Sequence, residues 1–172
     1  MSKIERLTNE MLRRVYGSTL HVGLIPRRNM RTVVEFLERH QVAGGDFKEW
    51  RKILSGMDLH AVEPVKIVKF KRGDMVAQYV DTGKQAGKQI GEWLVLTRGA
   101  VSHRSLGISG AGREFKYFRV KDEVEVILST AGPMKDRFTA AIRAKLIPPE
   151  LVAGGGHQYF LPQAWKLLDG PL

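Results

Sequence analysis

Residues Val152–Leu161, V-A-G-G-G-H-Q-Y-F-L, decide how the C-terminal half of the chain is read. Gly154–Gly156 run straight into His157, Gln158 and Tyr159, then into the apolar pair Phe160–Leu161. Consecutive glycines cost backbone entropy, so they stand where other residues clash, in tight turns or where the main chain comes close to a ligand. The stretch therefore has two readings. It is a turn before a last strand, Gln158–Leu161, or it presents a side-chain amide to a small molecule.

Working outward, the preceding hundred or so residues have the same β character. Short β-branched and aromatic runs at Val65–Phe70, Met75–Val80, Trp93–Thr97, Phe115–Val120 and Val124–Leu128 are divided by Gly, Pro and charged residues. Val124, Val126 and Leu128 alternate with Glu123, Glu125 and Ile127, the pattern of a strand with one face in solvent. Lys84–Gly91 and Ser109–Gly112 read as loops. Lys135–Lys145 reads as a helix ended by Pro148–Pro149, and Pro162 opens a short helical turn.

The first third is different. Ile4, Leu7, Met11, Leu12 and Val15 recur at helical spacing over residues 2–16, and Ser2 with Glu5 has the spacing of a capping box. A second helix is expected over Asn29–His40, with Asn29 as its N-cap, and a third after Asp46 carrying Phe47, Trp50, Ile53 and Leu54. The expectation is one domain over residues 1–172. It divides into a helical segment at 1–61 and a β-rich core at 62–172, a fold of the α+β class.

Composition narrows the chemistry. The chain of 172 residues is 43% apolar and 27% charged, as in ordinary globular proteins. It has no cysteine, which removes thiolate nucleophiles and zinc–thiolate sites. Its five histidines are scattered, so no metal is expected. No run is long enough to span a bilayer, and no charged-then-apolar leader opens the chain, so no signal peptide is expected in it. The net charge of +10 invites an anionic ligand or an acidic partner. There is no helix-turn-helix, zinc-finger or RNA-recognition motif, no phosphate loop and no nucleophile elbow. Glu123-x-Glu125 and Ser129–Thr130 resemble motifs of arginine-directed ADP-ribosyl transferases. Their order is reversed here, and the alternation makes the two glutamates a solvated face.

Several segments together resemble bacterial NAD glycohydrolase toxin domains, the tuberculosis necrotizing toxin domain and related interbacterial polymorphic-toxin domains. They are Val76-Ala-Gln-Tyr-Val-Asp, Gly91-Glu-Trp-Leu, Arg104-Ser-Leu-Gly, Tyr117-Phe-Arg-Val, Val124-Glu-Val and Gly154-Gly-Gly-His-Gln-Tyr. The resemblance covers Val76 to Leu161 and implies an ADP-ribosyltransferase-like split antiparallel β core that clamps NAD⁺ and hydrolyses its nicotinamide–ribose bond. It places Gln78, Arg104 and Gln158 in the catalytic set. Arg104 would hold the diphosphate through its planar fork, and Gln158 would orient a ribose hydroxyl or the attacking water. Gln78 and Tyr79 would position the nicotinamide ribose, and Trp93 would stack on a ring or belong to the core. His103, Tyr117, Gly156 and Tyr159 complete the expected NAD⁺-binding set. Gln78 stands where the necrotizing-toxin branch has Arg, and that branch's His is replaced here by Glu114, Phe115 and Lys116.

The resemblance further implies a secreted effector acting in the cytoplasm of a target cell, with NAD⁺ as substrate rather than resident cofactor, cleavage of NADP⁺ being left open. Its partner would be a cognate immunity protein, acidic to match the +10 charge. Two alternatives stand beside it: an ADP-ribosyltransferase toxin modifying protein or RNA, and a basic nucleic-acid-binding or nuclease module.

Overall fold

The structure is a computed structural model. It describes residues 1–16, 27–85, 88–96, 106, 112–132, 134–136, 145, 150–152 and 154–172, with backbone only at 134–136 and 150–152. Among these residues no helix is long and apolar enough to cross a membrane.

Helix α1 spans Lys3–Tyr16. Its capping box forms: the Glu5 N–H donates to Ser2 Oγ at 3.1 Å, and the Ser2 N–H donates to the Glu5 carboxylate at 2.8 Å. Helix α2, Arg27–Arg39, buries Met30, Val33, Val34, Phe36 and Leu37. It starts before the expected cap, so Asn29 lies inside it. There the buried Asn29 amide donates to the Leu59 carbonyl at 2.9 Å and accepts from the Val65 N–H at 3.1 Å. These bonds tie the segment leading into the sheet to the helical layer. Asp46 caps α3, Phe47–Ser55, by accepting from the Lys48 N–H at 2.9 Å. A short helix α4 spans Ala164–Leu167.

The strands are β1 (Lys66–Phe70), β2 (Met75–Asp81), β3 (Trp93–Leu96), β4 (Arg113–Val120) and β5 (Val124–Thr130). They continue with β6 (Met134–Asp136), β7 (Glu150–Val152), β8 (His157–Phe160) and β9 (Leu168–Asp169). Seven form one sheet in the order β1-β5-β8-β3-β2-β4-β9, and β6 pairs with β7 alone. Every pairing is antiparallel. The α+β class is as expected. The helix expected from Lys135 is not: residues 135 and 136 belong to β6, and 137–144 lie outside the described residues.

Strand β3 divides the large sheet into two halves. Trp93 and Leu94 pair with Phe160 and Tyr159 of β8, and then Val95 and Leu96 pair with Ala77 and Val76 of β2. One core, with Met11, Met30, Phe36, Trp50, Ile127 and Phe160, lies between the helices and one face of β1-β5-β8. A second core gathers Phe70, Val76, Leu94, Phe118, Val126 and Leu168 from the other face of both halves. Strand β5 is thus buried on both sides, not one. Its expected solvated face meets α2: Ile127 is wholly buried, and Glu125 pairs with Arg39 and His40, each at 3.2 Å.

Candidate functional site

Strand register fixes which side chains can meet, because directly paired residues share a face and neighbours along a strand alternate. Val76 pairs with Leu96, so Val76, Gln78 and Val80 share a face with Leu94. Leu94 pairs with Tyr159, which places Gln158 on the opposite face with Trp93 and Phe160. The two expected catalytic glutamines therefore do not converge on one ligand.

Each glutamine is instead held by the chain's own groups. Gln78 is 4% exposed; its Nε2 donates to the Gly91 carbonyl at 3.0 Å, and its Oε1 accepts from the Gly91 N–H at 2.8 Å. The β2–β3 ladder ends at Ala77 and Val95, and the side chain carries the pairing one step further. Gln158, also 4% exposed, donates through Nε2 to the Gly56 carbonyl at 2.7 Å and to Ser129 Oγ at 3.3 Å. It fastens the end of α3 to β5 and β8.

The glycine run serves the same junction. The Gly155 N–H donates to the Ala131 carbonyl, and the Gly156 carbonyl accepts from the Ala131 N–H, both at 2.8 Å. Gly154 has φ +72°, and a Cβ there would lie 2.5 Å from the carbonyl oxygens of Ala131 and Gly132. The close approach is to the chain's own backbone, so the turn reading of this stretch holds. Gly156 is a backbone pairing residue.

The expected NAD⁺-binding residues divide among several environments. Trp93 packs against Phe160 with ring centres 5.0 Å apart, in the core beneath the helices. Tyr159 packs at a tilt against Phe70 beside the second core, where burial pushes its phenol above its ordinary pKa. His157 faces Glu63 across an exposed ion pair. Arg104 and His103 lie outside the described residues, in the sequence between Leu96, paired with Val76, and Arg113, paired with Asp81.

Tyr79 and Tyr117 are brought together. Tyr79 pairs directly with Phe115, Ala77 with Tyr117, and Asp81 with Arg113, so all of them share the face of β2–β4 that points away from the second core. The Tyr79 and Phe115 rings are 4.9 Å apart, and Phe115 meets Tyr117 edge-on at 5.3 Å. Tyr117 is 44% exposed. At the end of this row Asp81 is 2% exposed and accepts from the Gly83 N–H at 3.1 Å, and Arg113 Nη1 donates to the Tyr79 carbonyl at 3.4 Å. Aromatic rings, a buried carboxylate and a guanidinium thus line one strand pair. Phe115, Asp81 and Arg113 were absent from the expected set. Their signal was the period-two spacing of Arg113, Phe115 and Tyr117, and of Tyr79 and Asp81.

No protein-family model matches the chain, and no curated protein matches it. Solved structures do. The chain is similar to that described as "Structure of Tse6 in complex with Tsi6", with a TM-score of 0.57 and 22% identity over 84% of this chain and 96% of that one. The structure described as "Rhs1-CT in complex with cognate immunity protein RhsI1" is more distant: TM-score 0.40, 18% identity, 64% of this chain and 80% of that one. At these identities the likeness to the first concerns the fold.

Proposed function

We propose that this chain is the toxic domain of a bacterial effector that hydrolyses NAD⁺ at the bond between nicotinamide and ribose. The observation that carries the reading is the β2–β4 face, where Tyr79, Phe115 and Tyr117 stand in a row ending at Asp81 and Arg113. The ordered sequence elements from Val76 to Tyr159 support it, as does the backbone likeness to the Tse6 structure. An ADP-ribosyltransferase-like classification of the sheet divided at β3 is part of the same reading.

In the reaction the C1′–N bond breaks with its electron pair leaving on nicotinamide, which neutralises the pyridinium. The ribose ring oxygen shares the positive charge left at C1′. Water then adds to C1′ and releases a proton. Little acid–base help is needed; the demand is for a held substrate and a negative charge near the ribose. The aromatic row supplies a stacking surface. The Asp81 carboxylate supplies the counter-charge, and Arg104 the fork for the diphosphate. Gln78 and Gln158 act as positioning residues: one sets the spacing of β2 from β3, and the other anchors β8.

A cognate immunity protein is the expected partner, since the similar structure is of Tse6 in complex with Tsi6. An acidic inhibitor would complement the net charge of +10. The site of action would be the target cell. Incubating the purified, folded protein with NAD⁺ and measuring free nicotinamide tests the reading. Release that falls sharply in Tyr117→Ala supports it; no release overturns it, and label transferred from NAD⁺ to a macromolecule replaces hydrolysis with transfer.

A further inference from the structure

We propose that the outer edge of β1 takes up an extended strand from an acidic partner protein, recognised by main-chain pairing and by acids set three residues apart. β1 is an end strand of the seven-stranded sheet and pairs with β5 alone. An end strand turns the N–H and C=O of every second residue away from its neighbour, and those groups can pair with an incoming chain. Among the described residues none bonds to that edge between Lys66 and Phe70. The main chain is tied just before and just after. The Val65 N–H donates to Asn29 Oδ1 at 3.1 Å, and the Lys71 N–H donates to the Asp74 carboxylate at 2.8 Å.

Burial differs across the β1–β5 pair. Val126 and Ile127 of β5 are wholly buried, yet their cross-strand partners Val68 and Ile67 are only half-buried. A missing outer neighbour produces that difference. An added strand would cover the remaining apolar surface, and its main-chain bonds would supply affinity, as when a peptide joins an exposed sheet edge. At the other end of the sheet β9 pairs with Arg119 and Val120, and the Leu172 N–H donates to the Tyr117 carbonyl at 2.9 Å. The rest of β4 carries an internal ion pair, Glu114 with Lys116 at 2.8 Å, so charge there selects no sign of partner.

On β1 the side chains set both sign and spacing. Lys66 and Lys69 are exposed, and their odd separation puts them on opposite faces of the strand. Lysines on an end strand repel other basic strands, a second β1 included, and favour acidic ones. The acids nearest Lys69 are engaged. Glu125, opposite it in register, is held by Arg39 and His40, and Glu123 meets Lys69 Nζ at 3.3 Å in an exposed pair. An exposed pair of that kind contributes little and yields readily to a partner. Across an antiparallel neighbour, Lys-Ile-Val-Lys is matched by Glu-Val-Val-Glu, with an acid facing each lysine and valines facing Ile67 and Val68. β1 lies at the far end of the sheet from β4, so a strand added there leaves the β2–β4 face open.

The probes are two synthetic peptides of equal composition, added to the intact chain at constant ionic strength. One carries Glu-Val-Val-Glu at its centre. The other carries Val-Glu-Glu-Val, whose adjacent acids can face only one lysine at a time. At saturation the first is expected to slow exchange of the outward-facing β1 amides at least about tenfold. It should bind about threefold more tightly than the second, the effect of one further cross-strand ion pair. Lys66→Gln with Lys69→Gln, both exposed, should level the two affinities at unchanged thermal stability. Methylating alternate peptide amides separates strand addition from plain charge attraction. One set of positions should abolish binding and the other preserve it, because an added strand turns every second N–H toward β1. Equal affinity for the two peptides, equal effects of the two methylation sets, or no slowing in β1 overturns the proposal. So does β1 protection that rises with protein concentration alone, which would put a second copy on the edge. None of these readouts involves NAD⁺ cleavage, so the result stands whatever reaction the chain performs.

Discussion

The side chain of Gln78 and the backbone of Gly91 form a closed two-bond ring, Nε2 to carbonyl at 3.0 Å and N–H to Oε1 at 2.8 Å. The ring sits where β2 and β3 part, in the place of the next ladder step. Gln78→Ala removes both bonds and is expected to cost about 1–3 kcal/mol in denaturant unfolding. Gln78→Glu should be the worse change, since a carboxylate would face the Gly91 carbonyl without a proton between them. If Gln78→Ala leaves stability intact and abolishes nicotinamide release, the residue touches substrate and the positioning role is wrong.

Adjacent glycines should respond unequally to the same substitution. Gly154→Ala drives a Cβ into two carbonyl oxygens at 2.5 Å, and φ is +72° there. It is expected to lose more than about 3 kcal/mol or to fail to fold. Gly155 has φ +96° but nothing within 4 Å of its would-be Cβ. Gly155→Ala should cost only the left-handed backbone, about 1–2 kcal/mol. Equal denaturation midpoints for the two variants would contradict the packing described.

Acid should loosen the first turn of α1 before the rest of the fold. The Ser2 backbone N–H and hydroxyl hold the Glu5 carboxyl below its ordinary pKa, with Arg31 and Arg27 adding to the effect. A lowered folded-state pKa means the stabilisation is present above the unfolded carboxylate's titration and is lost as pH falls through the folded value. Amide protection at Arg6 and Leu7, taken relative to intrinsic exchange at each pH, should therefore fall as pH drops below the ordinary carboxylate range. In Glu5→Gln that pH dependence should be flat.

Tyr117 and Asp81 separate binding from reaction under the proposed activity. Tyr117→Ala exposes no core, so thermal stability should hold while nicotinamide release falls at least about tenfold, mostly through KM. Asp81→Asn keeps the side chain's shape and removes its charge. It should lower kcat by about a hundredfold or more with less change in KM, as expected for a group that acts in the transition state. A kcat unaffected by Asp81→Asn would remove the carboxylate from the reaction.

Much of this was legible one element at a time. The capping box of α1, the Asp46 cap and the apolar spacing of α2 act over three to four residues, so the sequence states them directly. The six strand runs carry their own β-branched signal. What failed had distant causes. Glu125 and Ile127 alternate as a solvated face should, yet α2 lies over them. Asn29 has the chemistry of a cap, but it serves Leu59 and Val65, some thirty residues away.

The order of helices then strands, the absence of thiol chemistry and the strong positive charge were determined by the sequence alone, because local periodicity and composition need no partner. Only the tertiary structure decided that Gln78 and Gln158 stand on opposite faces and that Tyr79, Phe115 and Tyr117 share one with Asp81 and Arg113. The physical reason is register. With side chains alternating at every residue, the face a side chain takes depends on which strand lies beside it, and β3 changes partner halfway along its length.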